Sequence, residues 1–208
     1  TFLASHGVTR WLCSILTDDE ERTTAAILRA REAIENPLPG AKLMGIHLEG
    51  PFLSPKFAGA MPPHLIIEGN VALMERYVKV SGNNIRMMTL APEVPGNLCV
   101  IKAFHKSIAF AMGHSDATYE EGLKAIEAGA VSITHTGNAM RLFHQHQPAL
   151  FGVAMAEDVR CEMIADGLHL HPDTVRMYMK VKGGKKLLAI SDSISAAGMP
   201  DGNYMLGI

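Results

Sequence analysis

Short, unbroken apolar runs alternate along the chain with longer stretches whose apolar residues recur at helical spacing. The runs fall at residues 8–16, 43–48, 85–90, 108–112, 131–134, 161–165 and 187–190. Continuous rather than alternating hydrophobicity predicts strands buried on both faces of a parallel sheet. Between them, Thr17-Asp18-Asp19-Glu20 reads as a capping box in which Thr17 bonds the Glu20 amide. Ile27, Ala30 and Ile34 follow at helical spacing, and Asn36-Pro37 ends the run. Asp116 reads as the N-cap of another helix, with Tyr119, Leu123 and Ile126 on one stripe and Gly129 closing it. A further helix starts at Asp173, turns Val175, Tyr178 and Met179 inward, and stops at Gly183-Gly184. Seven strands alternating with helices predict an α/β fold, either an open doubly wound sheet or a (β/α)8 TIM-type barrel one strand short. No GxGxxG follows the first strand and no Walker A sequence is present, which weakens the nucleotide-binding forms of that fold. Residues 92–96 and 198–202 read as loops within one unit that spans 1–208 as about seven βα units. A start at Thr1 and an end on Leu206-Gly207-Ile208 predict a fragment.

Composition narrows the partners. Of 208 residues, 48% are hydrophobic and 19% charged, too apolar a chain for disorder. With 19 basic and 21 acidic residues there is no footprint for nucleic acid and no polybasic membrane patch. No apolar run approaches the ~20 residues that span a bilayer, and no signal peptide is read, which predicts a cytoplasmic protein. Cys13, Cys99 and Cys161 lie far apart without a CxxC, and read as buried small apolar residues in a reducing compartment.

The chemistry stands where the apolar runs stop. Residues 43–48 lead into Glu49-Gly50-Pro51, 108–112 into Gly113-His114, 131–134 into His135, and 187–190 into Ser191-Asp192. Four strands thus deliver a carboxylate or an imidazole at their C-terminal ends, the end that carries the active site of a parallel barrel. Two imidazoles and one carboxylate are a common catalytic zinc set with one position left for water, whose pKa the metal lowers to about 7. A further carboxylate beside that water can take its proton and pass it to a leaving group. Glu49, His114 and His135 are therefore the expected ligands and Asp192 the expected acid/base. His47, two residues before Glu49 and on the same side of its strand, is expected to pack behind the site. His6, His64 and His105 are expected in solvent, and most of the 13 methionines in the core.

In order along the chain, His47-Leu48-Glu49-Gly50-Pro51-Phe52, Gly113-His114-Ser115, Thr134-His135 with Asn138-Ala139-Met140, Asp166-Gly167-Leu168-His169, and Asp192 with Ala196-Ala197-Gly198 resemble N-acetylglucosamine-6-phosphate deacetylases of the amidohydrolase superfamily. The resemblance runs from the first residues to the last. It implies a metal-dependent (β/α)8 barrel with a small β-sandwich, of which this chain lacks the sandwich and the first strand. That strand often carries a His-x-His for a second metal. The implied reaction removes acetate from the amide nitrogen of N-acetylglucosamine 6-phosphate. One divalent ion, zinc above iron, cobalt or manganese, is implied at Glu49, His114 and His135, with Asp192 as the catalytic aspartate and a homodimer as the assembly. Asn138 and Ala139 match a turn whose backbone amides approach the sugar phosphate, and His169 matches a substrate-contacting histidine. Two positions depart from the pattern. Met61 stands where the family usually has a substrate-contacting histidine, and His146 stands where it has an arginine before Glu-Pro. Imidazole does not fork to phosphate as guanidinium does, and Arg141 or His144 are the nearest substitutes in sequence. A deacetylase for another N-acyl amino sugar, or a barrel remnant without catalysis, are the alternative readings.

Overall fold

The computed structural model describes residues 2–206. Its centre is one sheet of seven strands: β1 (Arg10–Leu16), β2 (Lys42–Glu49), β3 (Ile85–Leu90), β4 (Ala109–Met112), β5 (Ala130–Ile133), β6 (Arg160–Met163) and β7 (Leu187–Ala189). Every neighbouring pair is parallel, and the spatial order is the order in sequence, β1 to β7. A doubly wound sheet reverses its strand order at a switch point, whereas a barrel wall proceeds consecutively. The topology is therefore that of an α/β barrel, and the doubly wound alternative falls. The α-helices are α1 (Phe2–Ser5), α2 (Glu20–Glu35), α3 (Val71–Val80), α4 (Asn97–Phe104), α5 (Tyr119–Ala128), α6 (Ala149–Ala156) and α7 (Pro172–Lys182), and short 3-10 turns at Pro55–Phe57 and Pro63–Leu65 lie between β2 and α3.

Burial on both faces holds for much of β2 to β6 but not for the outer strands, where β1 buries only Ile15 and β7 buries no residue, because each is paired on one side alone. Ile46, Leu48, Met88, Leu90, Phe110, Met112, Ile133 and Cys161 form one core with Ile27 of α2, Met74 and Tyr77 of α3, Ile101 of α4, and Leu150 and Val153 of α6. The α5 helix meets α6 through small residues: Gly122, Ala125 and Ala128 are its buried positions, while Tyr119 and Ile126 flank them half-buried.

The helix starts differ from expectation in an instructive way. The N-cap of α2 is Asp19, which accepts from the Arg22 amide, while Thr17 turns inward and its Oγ1 donates to the Glu49 carbonyl at 2.9 Å. The N-cap of α5 is Thr118, in a capping box with Glu121, because Asp116 is recruited by two cations, Lys56 and Arg141. His171 caps α7 and Asp173 lies inside its first turn. On α7 only Tyr178 is fully buried, and Met179 faces solvent. Cys161 is buried as expected, but Cys99 is exposed on α4 and Cys13 is half-buried. His6, His64 and His105 are exposed.

Candidate metal centre

Three βα units bring a residue at or just past the C-terminal end of their strand to one point. Glu49 is the last residue of β2, and Gly50 after it has φ +91°, with Thr17 Oγ1 occupying the space a side chain would need. His114 follows β4 after Gly113, and His135 follows β5 after Thr134. Both histidines have left-handed backbone, φ +48° and +29°, as do Ala139 (φ +46°) and Asp192 (φ +48°). For residues other than glycine this conformation is strained, and it collects where a site needs side chains aimed off the regular path of the chain.

The aim is a small triangle. His114 Nε2 lies 3.1 Å from Glu49 Oε1, His135 Nε2 lies 3.3 Å from the same oxygen, and the two nitrogens are 3.1 Å apart. All three residues are buried. The Phe57 carbonyl only accepts, so His114 Nδ1 carries a proton toward it at 2.9 Å and Nε2 of the neutral ring is bare. His135 Nδ1 is buried without a partner among the described residues. Burial pushes the Glu49 carboxyl up, but the imidazoles of His114 and His135 beside it outweigh that and hold the group far below the usual carboxylate range. Burial disfavours protonation of His135, yet the hydrogen bond and charge of Glu49 raise its pKa overall.

These donors fit a metal ion. Zinc takes nitrogen and oxygen ligands at about 2.0–2.2 Å, which puts the ligand atoms of a tetrahedral site about 3.3–3.6 Å apart, close to the 3.1–3.3 Å seen here. An anion and two imidazoles with their bare edges turned together, shut away from water, are a costly arrangement that a cation relieves.

Behind the triangle runs a buried chain of hydrogen bonds. His47 Nδ1 meets Ser14 Oγ at 3.0 Å, its Nε2 meets Thr89 Oγ1 at 2.8 Å, and Thr89 Oγ1 meets Thr134 Oγ1 at 2.7 Å. Burial lowers the His47 pKa to about 4, so the ring is neutral. His47 thus ties β1, β2 and β3 together and packs behind the triangle, as its position two residues before Glu49 predicts.

The other expected site residues are more dispersed. Asp192 lies past β7 and is exposed. Partial desolvation raises its pKa, and the charge of Glu49 adds to the rise while those of His135 and His114 oppose it. Its carboxyl thus stands within the field of the triangle without belonging to it. His169 is exposed, hydrogen-bonded through Nδ1 to Asp166 at 2.7 Å, and its charge also acts on Asp192. Asn138 is half-buried, and both its N–H and its Nδ2 donate to the His135 carbonyl, at 2.9 and 3.1 Å. Its amide is thus engaged inside the turn rather than free, because it closes the tight loop after His135. The Ala139 N–H has no hydrogen-bond acceptor among the described residues. His146 is exposed beside His144, with ring centroids 5.5 Å apart. Met61 is buried and lines a mostly apolar cavity of about 510 Å³ with Trp11, Ile15, Leu16 and Ala26 on the β1 side. Arg141 is not a free fork for phosphate, since Asp116 takes its Nε at 2.8 Å and Gln147 its Nη1 at 3.2 Å.

Two acidic residues escaped the reading of the sequence. Glu162, on β6, is buried, and desolvation raises its carboxyl to about 7 against the pull of His135. Its signal was a charge interrupting an apolar run. Glu93 stands three residues past the end of β3 and holds the turn after His114. The residues picked out at strand ends stand within two positions of their apolar runs, and Glu93 lies three past its own, beyond the reach of that rule.

Comparison with known proteins gives the same direction. The chain is 40% identical over 210 residues to the N-acetylglucosamine-6-phosphate deacetylase of Bacillus subtilis, covering 99% of this chain and 53% of that protein. The chain is a homologue of N-acetylglucosamine-6-phosphate deacetylases. It is also 34% identical to the N-acetylgalactosamine-6-phosphate deacetylase of Escherichia coli O157:H7, over 98% of this chain and 54% of that one. A solved structure of a substituted N-acetyl-D-glucosamine-6-phosphate deacetylase from Mycobacterium smegmatis, in complex with N-acetyl-D-glucosamine-6-phosphate, superposes with a TM-score of 0.93 at 33% identity, over 97% of this chain and 52% of that one. The chain spans about half the length of the curated relatives it matches. No protein-family model matches it.

Proposed function

We propose that this chain carries the metal-binding face of a hydrolase that removes acetate from the nitrogen of N-acetylglucosamine 6-phosphate, leaving glucosamine 6-phosphate. The observation that carries the reading is the convergence of Glu49 Oε1, His114 Nε2 and His135 Nε2 to within 3.1–3.3 Å of one another. When bound there, a divalent ion, zinc in the first place and iron, cobalt or manganese by the same donor set, supplies Lewis acidity and a water acidic enough to attack at neutral pH.

The remaining work falls to the chain's own residues. Asp192 accepts the proton of the attacking water. As the acetyl carbon gains that oxygen and its bond to nitrogen breaks, Asp192 returns the proton to the departing amine, and acetate leaves. A carboxyl pKa raised toward the working pH suits a group that must both take and give a proton. His114 is held in the tautomer that leaves Nε2 for the ion by the Phe57 carbonyl. The Ala139 N–H and His169 face the substrate, and His146 stands in for a guanidinium on the phosphate side.

Asp192→Asn tests this reading. The variant is expected to keep its metal by elemental analysis and to lose at least a thousandfold in kcat for acetate release from N-acetylglucosamine 6-phosphate. Activity within tenfold of the parent would remove Asp192 from the mechanism. Absence of a stoichiometric divalent ion from the parent protein would remove the metal centre.

A second reading, deacetylation of another N-acyl amino sugar, draws on Met61, which lies buried in an apolar cavity, and on the similarity to the galactosamine enzyme. Ratios of kcat/KM for the glucosamine, galactosamine and non-phosphorylated N-acetyl sugars separate the two. A preference for the phosphorylated glucosamine substrate retires the second.

A further inference from the structure

The segment carrying His114 is gripped by a residue that touches neither the triangle nor any expected substrate contact. Glu93, in the loop between β3 and α4, accepts the Asp116 N–H at 2.6 Å through Oε1 and the Ser115 hydroxyl at 2.7 Å through Oε2. Ser115 Oγ in turn accepts the Ala117 N–H at 3.0 Å. One carboxylate therefore orders three consecutive residues immediately after His114. Hydrogen bonds to a charged acceptor are roughly twice as strong as neutral ones.

The grip has something to hold. His114 sits at φ +48°, a left-handed conformation that is strained for a residue with a Cβ. Left to itself, the backbone would relax toward the ordinary right-handed or extended regions, and the ring would swing away from Glu49 and His135. The other main-chain and imidazole restraints on the segment are neutral. The Ser54 N–H donates to the His114 carbonyl at 2.9 Å, His114 Nδ1 donates to Phe57, and the Ser115 N–H donates to the Ala139 carbonyl at 3.2 Å. The neighbouring carboxylate of Asp116 is turned away toward Lys56 and Arg141, at 2.6 and 2.8 Å, so the two acids do not compete for one partner.

We propose that Glu93 is the positioning residue of His114: its carboxylate, clamping Ser115 and Asp116, holds the left-handed turn that points His114 Nε2 at the ion. The inference rests on the reading of Glu49, His114 and His135 as ligands, and its test tells the two apart.

The probe is cobalt(II) alone, titrated into the metal-free protein and followed by calorimetry and by the visible d–d bands, which report ligand geometry. The parent protein is expected to take up one equivalent. Glu93→Ala is expected to bind cobalt 10- to 100-fold more weakly, with altered d–d bands. Glu93→Gln and Ser115→Ala each keep part of the clamp, and are expected to show smaller losses of the same kind while keeping native far-UV circular dichroism. Glu20→Ala, which removes an exposed partner of Arg76, should bind as the parent does. If Glu93→Ala folds and binds cobalt with parental affinity and spectrum, Glu93 positions nothing. If Glu93→Ala does not fold, parental binding by both Glu93→Gln and Ser115→Ala overturns the proposal. A parent protein that takes up no cobalt overturns the metal centre, and this inference with it.

Discussion

Positive φ at His114, His135, Ala139 and Asp192 means that side chains in the loops after three strands, β4, β5 and β7, are turned out of line with the strand that leads into them. Such residues persist only where their neighbours over-determine them, and the buried hydroxyls show how. Thr89 Oγ1 stands between His47 Nε2 and Thr134 Oγ1, and Thr134 is the residue before His135. Thr89→Val keeps the volume but leaves both partners unpaired in a dry interior. It is expected to cost about 1–3 kcal/mol in urea denaturation, with a weaker hold on the divalent ion. On the surface, Asp166 is held down to about 2, first by the His169 N–H, then by the His169 ring and the Leu168 N–H. A depressed carboxyl stabilises its loop above its ordinary pKa, and that contribution fades as the pH falls through about 2. The carboxyl carbon of Asp166, followed by NMR, should titrate near 2 in the parent and move upward in His169→Ala.

Elements carry these residues into place, and α7 gives the clearest case. Tyr178 of α7 is fully buried and its hydroxyl donates to the Thr136 carbonyl at 2.9 Å, one residue past His135. Tyr178→Phe removes that donor from a buried acceptor and should lower stability by about 1–2 kcal/mol in thermal or urea unfolding, with amide exchange increasing in the loop after β5. Much at this scale was legible in the chain. Seven apolar runs gave seven strands, because buried parallel strands write themselves as unbroken hydrophobicity. The polar residues at their ends were legible for the same reason, since Glu49 and His135 break such runs abruptly. The helix caps were not legible. Thr17 and Asp116 satisfy the local rule, but each is claimed by a distant group, the Glu49 carbonyl in one case and the Lys56 and Arg141 cations in the other. Met179 was misplaced because the stripe of α7 is narrow enough to bury one residue, Tyr178. Glu93 was passed over because its value lies in two contacts with residues more than twenty positions away.

At the scale of the molecule, the sheet shows two edges among the described residues, with β1 and β7 each paired on one side. Open edges present unpaired amides and carbonyls, and Trp11 on β1 is partly exposed beside the apolar cavity. The 208-residue chain is expected to self-associate, with a sedimentation coefficient that rises with concentration. Trp11→Lys, which places a charge on that edge, should reduce the rise. The triangle has a consequence of another kind. Glu49 is 65 residues from His114 and 86 from His135, so no local segment can offer all three donors at once. Closing those distances is slow compared with forming a helix. Tight capture of the ion must therefore come late in folding, after β2, β4 and β5 have found their neighbours. A nascent chain whose β5 is still inside the ribosome would offer the cation at most two of its three donors.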